Sequence, residues 1–126
     1  MHMWKLLRNS LANRTLAAPM ATGALIVLTT LSTVEDARQL VHALVSERVI
    51  GCGTILPAGT SIYRWKDEVK EEQEVVVVMK TEASRWDALV TAVRDRHPYE
   101  IPELLALPVE RGLQAYLNWL ESEVAT

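Results

Sequence analysis

The chain has 126 residues, 49% of them hydrophobic and 23% charged, which fits one small globular domain and leaves no room for a second full core. Its formal net charge of −3 argues against nucleic acid as a partner, because phosphate binding needs a clustered positive surface. The single cysteine, Cys52, excludes an intrachain disulfide and a cysteine-based zinc site, and it indicates a reducing, cytoplasmic compartment. No apolar run reaches the ~18 residues of a membrane span.

The first 22 residues differ from the rest of the chain. They carry three basic residues and no acidic one, whereas the remainder has a net charge of −6. A basic start of this kind that contains serine and leucine resembles an organelle transit peptide, which would make the location organellar. The favoured alternative is an extended start, with Met20 beginning the working protein, because the segment is short. We therefore expect residues 1–22 to be an extension and residues 23–126 to form one domain.

A buried strand and an amphipathic helix are predicted first. Residues 24–30 form a continuous apolar, partly β-branched run, which is typical of a strand covered on both faces. Ser32 and Glu35 then have the spacing of a capping box. His42 falls outside the apolar face of the following helix, so we predict a solvated side chain there. That apolar face consists of Ala37, Leu40, Val41, Leu44 and Val45.

The period then changes, and residues 49–81 predict one long β-hairpin. Within it, residues 57–59 predict a bulge, bend or break, and residues 66–68 the turn. Strands usually have about 5–6 residues, so this hairpin is too long for so small a domain. Tyr63 and Trp65 near its tip, together with exposed strand edges, predict that it builds a homo-oligomer. The alternative is a twisted hairpin folded back on its own domain.

The returning strand of the hairpin has an apolar base and an acidic arm. Residues 75–79 are uniformly apolar, which predicts that both faces of the strand are covered there. Towards the turn stand Glu71, Glu72 and Glu74, of which Glu72 and Glu74 share one face. They predict either a weak cation site or, as the favoured alternative, a solvated arm whose charges protect an edge.

Three further elements complete the order. A second helix is predicted to begin near Ser84, with Asp87 at cap spacing, and to end before Pro98. Prolines bound residues 100–108, which predicts a short edge strand, and residues 115–120 predict an amphipathic terminal helix. The order β-α-β-β-α-β-α predicts an α+β, ferredoxin-like sandwich with an antiparallel sheet, helices on one face and an additional C-terminal helix.

The richest candidate for chemistry is the proline-stiffened turn at residues 96–103. The imidazole of His97 suits copper or zinc, and a carboxylate such as Glu100 can orient its ring. Cys52 stands between two glycines in an apolar run, which predicts a buried and inert thiol. No phosphate-binding glycine loop, nucleophile elbow or metalloprotease motif is present, so we predict no enzyme activity.

Four motifs stand in the order found in CutA, the divalent-cation tolerance family, and the chain resembles that family over about residues 23–122. The resemblance implies a compact homotrimer with a ferredoxin-like fold, similar to that of the PII signalling proteins, in which long hairpins pair around a threefold axis. It also implies a link to tolerance of copper and other divalent cations. The motifs are Thr60-Ser61-Ile62-Tyr63-Arg64-Trp65, Glu74 through Thr81, His97-Pro98-Tyr99-Glu100-Ile101-Pro102-Glu103 and Tyr116-Leu117-Asn118-Trp119.

The resemblance also implies a ligand set. It predicts weak binding of Cu(II) or another divalent cation, with no required cofactor, by His97 together with Glu100 or Cys52. Copper-binding relatives carry a cysteine where this chain has Thr29, and some carry a histidine where it has Arg96. The alternative is a PII-like trimeric scaffold or small-molecule sensor with a site in the cleft between subunits. The residues predicted to line that cleft are Tyr63, Trp65, His97, Tyr99, Glu100 and Glu103.

Overall fold

The computed structural model describes residues 22–126, so nearly all of the predicted N-terminal extension lies outside the described residues. Four antiparallel strands form one sheet in the spatial order β2-β3-β1-β4. Together with three helices they confirm the predicted α+β, ferredoxin-like order. The elements are β1 (Ala24–Leu31), α1 (Val34–Ser46), β2 (Cys52–Trp65), β3 (Glu68–Glu82), α2 (Trp86–Arg96), β4 (Leu105–Pro108) and α3 (Gln114–Val124).

The hydrophobic core lies between one face of the sheet and the helices α1 and α2. Alternate residues of β1 and β3 point to this face, as the two-residue period of a strand requires. They pack against the apolar face of α1, where four of the five predicted residues are buried and Val45 is 40% exposed. The principal core residues are Val27, Leu31, Leu40, Leu44, Val75, Val77, Met79, Leu89 and Val93.

The residues that the structure describes leave the opposite face of the sheet largely uncovered in one protomer. In the middle of this face Leu28 pairs with Val78 on one side and with Leu105 on the other. Leu105 and Leu107 are 58% and 53% exposed. Residues 75–79 were predicted to be covered on both faces. In the isolated protomer the described residues cover only the face that points to the core. We call this surface the open sheet face; it comprises Ile26, Leu28, Val76, Val78, Leu105 and Leu107.

The C-terminal helix departs from the predicted arrangement with all helices on one face. A Cβ on Gly53 would lie 2.9 Å from Val41 of α1, so Gly53 faces the core. Cys52 precedes it in the strand and faces the other way, and its Sγ lies 3.6 Å from the Tyr116 hydroxyl of α3. Helix α3, anchored by the buried Leu120, therefore packs on the opposite face. An amphipathic pattern shows that a helix is covered on one side, but not by which face of a sheet.

The long hairpin is confirmed, with β2 and β3 spanning 14 and 15 residues. It begins at Cys52 rather than at residue 49. The predicted irregularity is a register shift between Leu56 and Gly59, so β2 bulges without breaking. At the tip, Lys66 and Asp67 have φ angles of 49° and 67°, the left-handed conformation that tight hairpin turns need.

Two predicted helix caps are wrong in detail. The side chain that accepts the Asp36 amide hydrogen is that of Thr33, not Ser32. Both residues have cap chemistry, and sequence spacing does not separate neighbours. The second helix is preceded by a 3₁₀ turn at Ala83–Arg85 and has no side-chain cap bond, so Ser84 is not its cap.

The fourth strand is shorter than predicted, Leu105–Pro108 rather than residues 100–108. Its predicted edge position is confirmed. Before it, the Glu103 carbonyl accepts the Thr29 hydroxyl at 2.7 Å instead of joining the ladder. Pro102 has no backbone N–H to offer to a neighbouring strand. Within residues 22–126 no helix is long and apolar enough to cross a bilayer.

Candidate functional site

A cleft of about 580 Å³ lies between the arm of the hairpin and the segment that follows α2. Five of the six residues predicted to line a cleft do line it within one protomer. The exception is His97, whose ring is hydrogen-bonded to the Thr30 carbonyl instead. Whether a second subunit contributes to this cleft stays a prediction. From the hairpin come Tyr63, Trp65, Glu72 and Glu74, and from the segment after α2 come Tyr99, Glu100 and Glu103.

Strand geometry explains why the hairpin residues face the cleft together. Tyr63 and Trp65 are two residues apart on β2, so they share a face. The register places Ser61 opposite Glu72 and therefore puts Glu72 on that same face. Glu71, one residue away on β3, does not line the cleft. The alternation deduced for the acidic arm is therefore confirmed for Glu72.

Tyr99 connects the segment after α2 to β3 and to the residues after β1 through hydrogen bonds of its hydroxyl group. Its hydroxyl donates to Glu74 Oε2 at 2.7 Å. Because a phenol has one hydrogen, the Ser32 hydroxyl at 2.8 Å acts as donor to the Tyr99 oxygen. Burial, the hydrogen bond to Glu74 and the charges of Glu74 and Glu72 raise the pKa of Tyr99 to about 12, against a lowering by the Ser32 bond. The phenol is therefore a stable donor at neutral pH.

His97 is 7% exposed and both of its ring nitrogens are engaged. Nε2 lies 2.9 Å from the Thr30 carbonyl oxygen, and Nδ1 accepts the Tyr99 amide hydrogen at 3.1 Å. A carbonyl only accepts, so Nε2 carries the proton and the ring is neutral. Burial lowers the pKa of His97, although the Thr30 bond and the charges of Glu74 and Asp36 oppose this. His97 therefore links the end of β1 to the cleft wall.

Cys52 lies apart from this network. The register aligns it with Ile26 near the start of β1, whereas His97 bonds the Thr30 carbonyl near the end of that strand. Its thiol is half-buried, so the prediction of full burial is wrong. The reason is that Cys52 faces the sheet side on which α3 is the one described helix, and there it contacts Tyr116.

The predicted ligand set is not gathered in one protomer. His97 has no free nitrogen, Cys52 is at the other end of the sheet, and Glu100 lines the cleft. Across residues 22–126 no group of three or more His, Cys, Asp and Glu side chains is placed to hold a metal ion. The described residues of one chain therefore do not fit a permanently bound metal, which needs several converging ligands.

The two residues that stand where relatives have copper ligands make structural bonds instead. Thr29 is fully buried and donates to the Glu103 carbonyl at 2.7 Å. Arg96 forms an ion pair with Glu47 of α1. Neither residue adds a metal ligand to the site.

Sequence reasoning missed two partners in the network, Thr30 and Ser32. Each lies 67 residues from the side chain that it bonds, His97 and Tyr99 respectively. A pattern of neighbouring residues in the sequence cannot predict a contact over such a distance along the chain. The available signal was the predicted antiparallel order, which brings the end of β1 to the same sheet edge as the turn after α2.

Comparison with known proteins identifies the family. A family model described as CutA1 divalent ion tolerance protein matches residues 25–123. The chain belongs to the CutA1 family. The divalent-cation tolerance protein CutA of Thermus thermophilus is 44% identical over 95 residues, which cover 75% of this chain and 92% of that protein. The CutA of Salmonella newport is 38% identical over 101 residues, covering 80% and 88% respectively.

Solved CutA structures share the fold. The divalent cation tolerance protein from Thermus thermophilus superposes with a TM-score of 0.79 at 41% identity, covering 81% of this chain and 99% of that one. CutA1 from Oryza sativa gives a TM-score of 0.79 at 32% identity, covering 83% and 98%. The resemblance deduced from the four motifs is thereby confirmed at the level of family and fold.

Proposed function

We propose that this CutA1-family protein is a cytoplasmic homotrimer that acts in tolerance of divalent cations, binds them weakly and catalyses no reaction. The observation that carries the proposal is the family match over residues 25–123. Relatives in that family are named as tolerance proteins and not as enzymes. The details of assembly and metal binding are supported by separate features of the protomer.

The trimer is supported by the open sheet face and by the hairpin. An exposed apolar surface on a small protein usually marks an interface. Strand β2 is also a sheet edge, and its unpaired backbone groups invite pairing with another chain. Burial of both surfaces would give this small domain the additional core that its size lacks.

We expect a mass of about 42 kDa by light scattering at micromolar concentration, three times the 14.1 kDa of the chain. The physical reason is that residues 22–126 leave the open sheet face and the edge of β2 uncovered, and association would cover both. Size-exclusion chromatography with in-line scattering gives the mass without assuming a shape. A species of one chain mass would contradict the trimer.

For the metal, we propose His97 as the ligand, with Glu100 the nearer partner in sequence and Cys52 the more distant one. A metal ion at the ring would displace the hydrogen bond of His97 to Thr30 or to Tyr99. Loss of that hydrogen bond offsets part of the free energy of metal binding. This supports a metal ion that binds weakly and reversibly, and not one that stays bound as a cofactor.

We expect Cu(II) to bind the wild type weakly, the His97→Ala variant negligibly, and the His42→Ala variant like the wild type. His42 is an exposed histidine on α1 and so provides a matched control. Isothermal titration of each oligomer with Cu(II) measures the three affinities, and circular dichroism checks that His97→Ala is folded. Equal binding by all three proteins would refute the assignment of His97.

A second candidate function is a PII-like scaffold or sensor for a small molecule. The cleft favours it, since about 580 Å³ falls within the usual size of a ligand pocket. Its walls combine aromatic side chains with a few charged ones, as ligand sites do. A thermal-shift panel of nucleotides, small anions and organic cations tests this candidate, and stabilisation by none of them would contradict it.

A further inference from the structure

All the charged side chains that the described residues contribute to the cleft are carboxylates. Glu72 and Glu74 stand on the β3 wall, and Glu100 and Glu103 on the wall formed after α2, while no lysine, arginine or histidine among residues 22–126 lines the cleft. The nearest cation on the same strand, Lys70, lies 3.9 Å from Glu68 Oε2. The cleft is therefore a concave surface of negative potential, which concentrates positively charged solutes.

One of these carboxylates, Glu74, is buried in the wall of the cleft. It is only 9% exposed and it lines the cleft. Its hydrogen bond comes from a neutral donor, the Tyr99 hydroxyl. In the described part of the chain no lysine, arginine or histidine forms an ion pair with it. A buried carboxylate without a cationic partner is energetically costly, so a positively charged occupant would complete the site.

The remaining walls identify the kind of cation. Tyr63, Trp65 and Tyr99 line the cleft together with the apolar Ile101. Aromatic faces attract ammonium groups within about 6 Å of the ring centroid, and the Lys66 ammonium already lies 5.7 Å from the Trp65 ring. A small metal ion needs converging oxygen ligands, whereas the described carboxylates do not converge in threes. Separated charges with apolar surface between them suit an organic cation.

We propose that the cleft binds an alkyl polyamine, a carbon chain that carries two or more ammonium groups. One ammonium group meets the β3 carboxylates Glu72 and Glu74, and another meets Glu100 or Glu103 on the facing wall. The carbon chain between them lies along the aromatic rings. This proposal rests on the ligand-binding function given as the second candidate, and it does not depend on copper binding.

The test is isothermal titration of the full-length oligomer with spermidine at physiological ionic strength. We expect saturable binding with a fixed stoichiometry per chain. Glu72→Gln should weaken it about tenfold, the size of one lost charge-assisted hydrogen bond. Glu72 is exposed and does not hold Tyr99, so this variant should fold normally. Glu71→Gln is the matched control, because Glu71 is an exposed carboxylate on the same strand that does not line the cleft.

Three results would overturn the polyamine proposal. They are the absence of spermidine binding, equal weakening by Glu71→Gln and Glu72→Gln, and binding of Mg²⁺ with the same affinity and the same dependence on Glu72. The second would mean that net charge alone attracts the ligand, and the third that the cleft binds a cation without recognising the carbon chain. If spermidine fails while a nucleotide or anion stabilises the protein, the polyamine is refuted and the sensor function survives. If nothing binds, both are refuted.

Discussion

Replacement of Leu105 by glutamate is expected to convert the proposed trimer into a folded species of one chain mass, 14.1 kDa. Leu105 lies on the open sheet face beside Leu28 and is 58% exposed in the protomer. In the isolated protomer the new carboxylate remains hydrated, so the fold is retained. In a trimer that covers this face it would be buried without a partner, at a cost of roughly 3–5 kcal/mol per site.

Light scattering measures the mass of the Leu105→Glu variant, and circular dichroism verifies that it is folded. Val34→Glu is the matched control, because Val34 is 40% exposed but lies at the start of α1, away from the open sheet face. It adds the same charge to the chain and should leave the trimer intact. A Leu105→Glu protein that keeps the wild-type mass would show that the open sheet face is not the interface. Dissociation of both variants would indicate a general effect of net charge.

The hairpin was predictable because its signals are local. Alternation, the irregularity at residues 57–59 and the turn at residues 66–68 are all properties of neighbouring residues. The observed register follows them, except that the turn is limited to Lys66 and Asp67 because Glu68 already pairs with Trp65. The uncovered face of residues 75–79 was not predictable in the same way. A uniformly apolar run shows that both faces avoid water, but whether the same chain or another one covers a face depends on where the helices pack. The unexpected position of α3 has the same cause.

The cleft was partly predictable for a related reason. The sequence placed Tyr63 and Trp65 on one strand face and Tyr99 beside His97, and the fold brings Tyr63, Trp65 and Tyr99 to one cleft. The role of His97 could not be predicted from its neighbours in the sequence. The same sequence, a histidine before a proline, is expected for a metal ligand and for a buried histidine with hydrogen-bonded nitrogens. The hydrogen bond to the carbonyl of Thr30, which lies 67 residues earlier in the chain, gives His97 its structural role.

That structural role of His97 predicts a loss of stability on substitution and a specific dependence on pH. In His97→Gln the side-chain amide can still donate to the Thr30 carbonyl, but it leaves the Tyr99 amide without its acceptor. An unsatisfied buried donor costs about 1–3 kcal/mol. We therefore expect the free energy of unfolding to fall by about 2 kcal/mol at neutral pH, measured by chemical denaturation at a fixed protein concentration, because the oligomer makes stability concentration-dependent.

The pH dependence follows from the lowered pKa of His97 in the folded state. Burial lowers it below the ordinary value of 6.5, against the opposing effects of the Thr30 carbonyl and of the charges of Glu74 and Asp36. Above pH 6.5 the ring is neutral in the folded and the unfolded chain. As the pH falls below that value the unfolded chain binds a proton first, so the free energy of unfolding decreases until the folded ring also becomes protonated.

The measurement that isolates His97 is the difference in unfolding free energy between about pH 7.5 and about pH 5.5, with a chelator present so that no metal contributes. We expect this difference to be smaller in His97→Gln than in the wild type, and unchanged in His42→Gln, whose substituted residue is exposed. The carboxylates titrate alike in all three proteins, so the comparison cancels their effect. An equal loss in the wild type and in His97→Gln would mean that His97 binds protons equally in both states, which contradicts a buried, neutral ring that holds Thr30 and Tyr99.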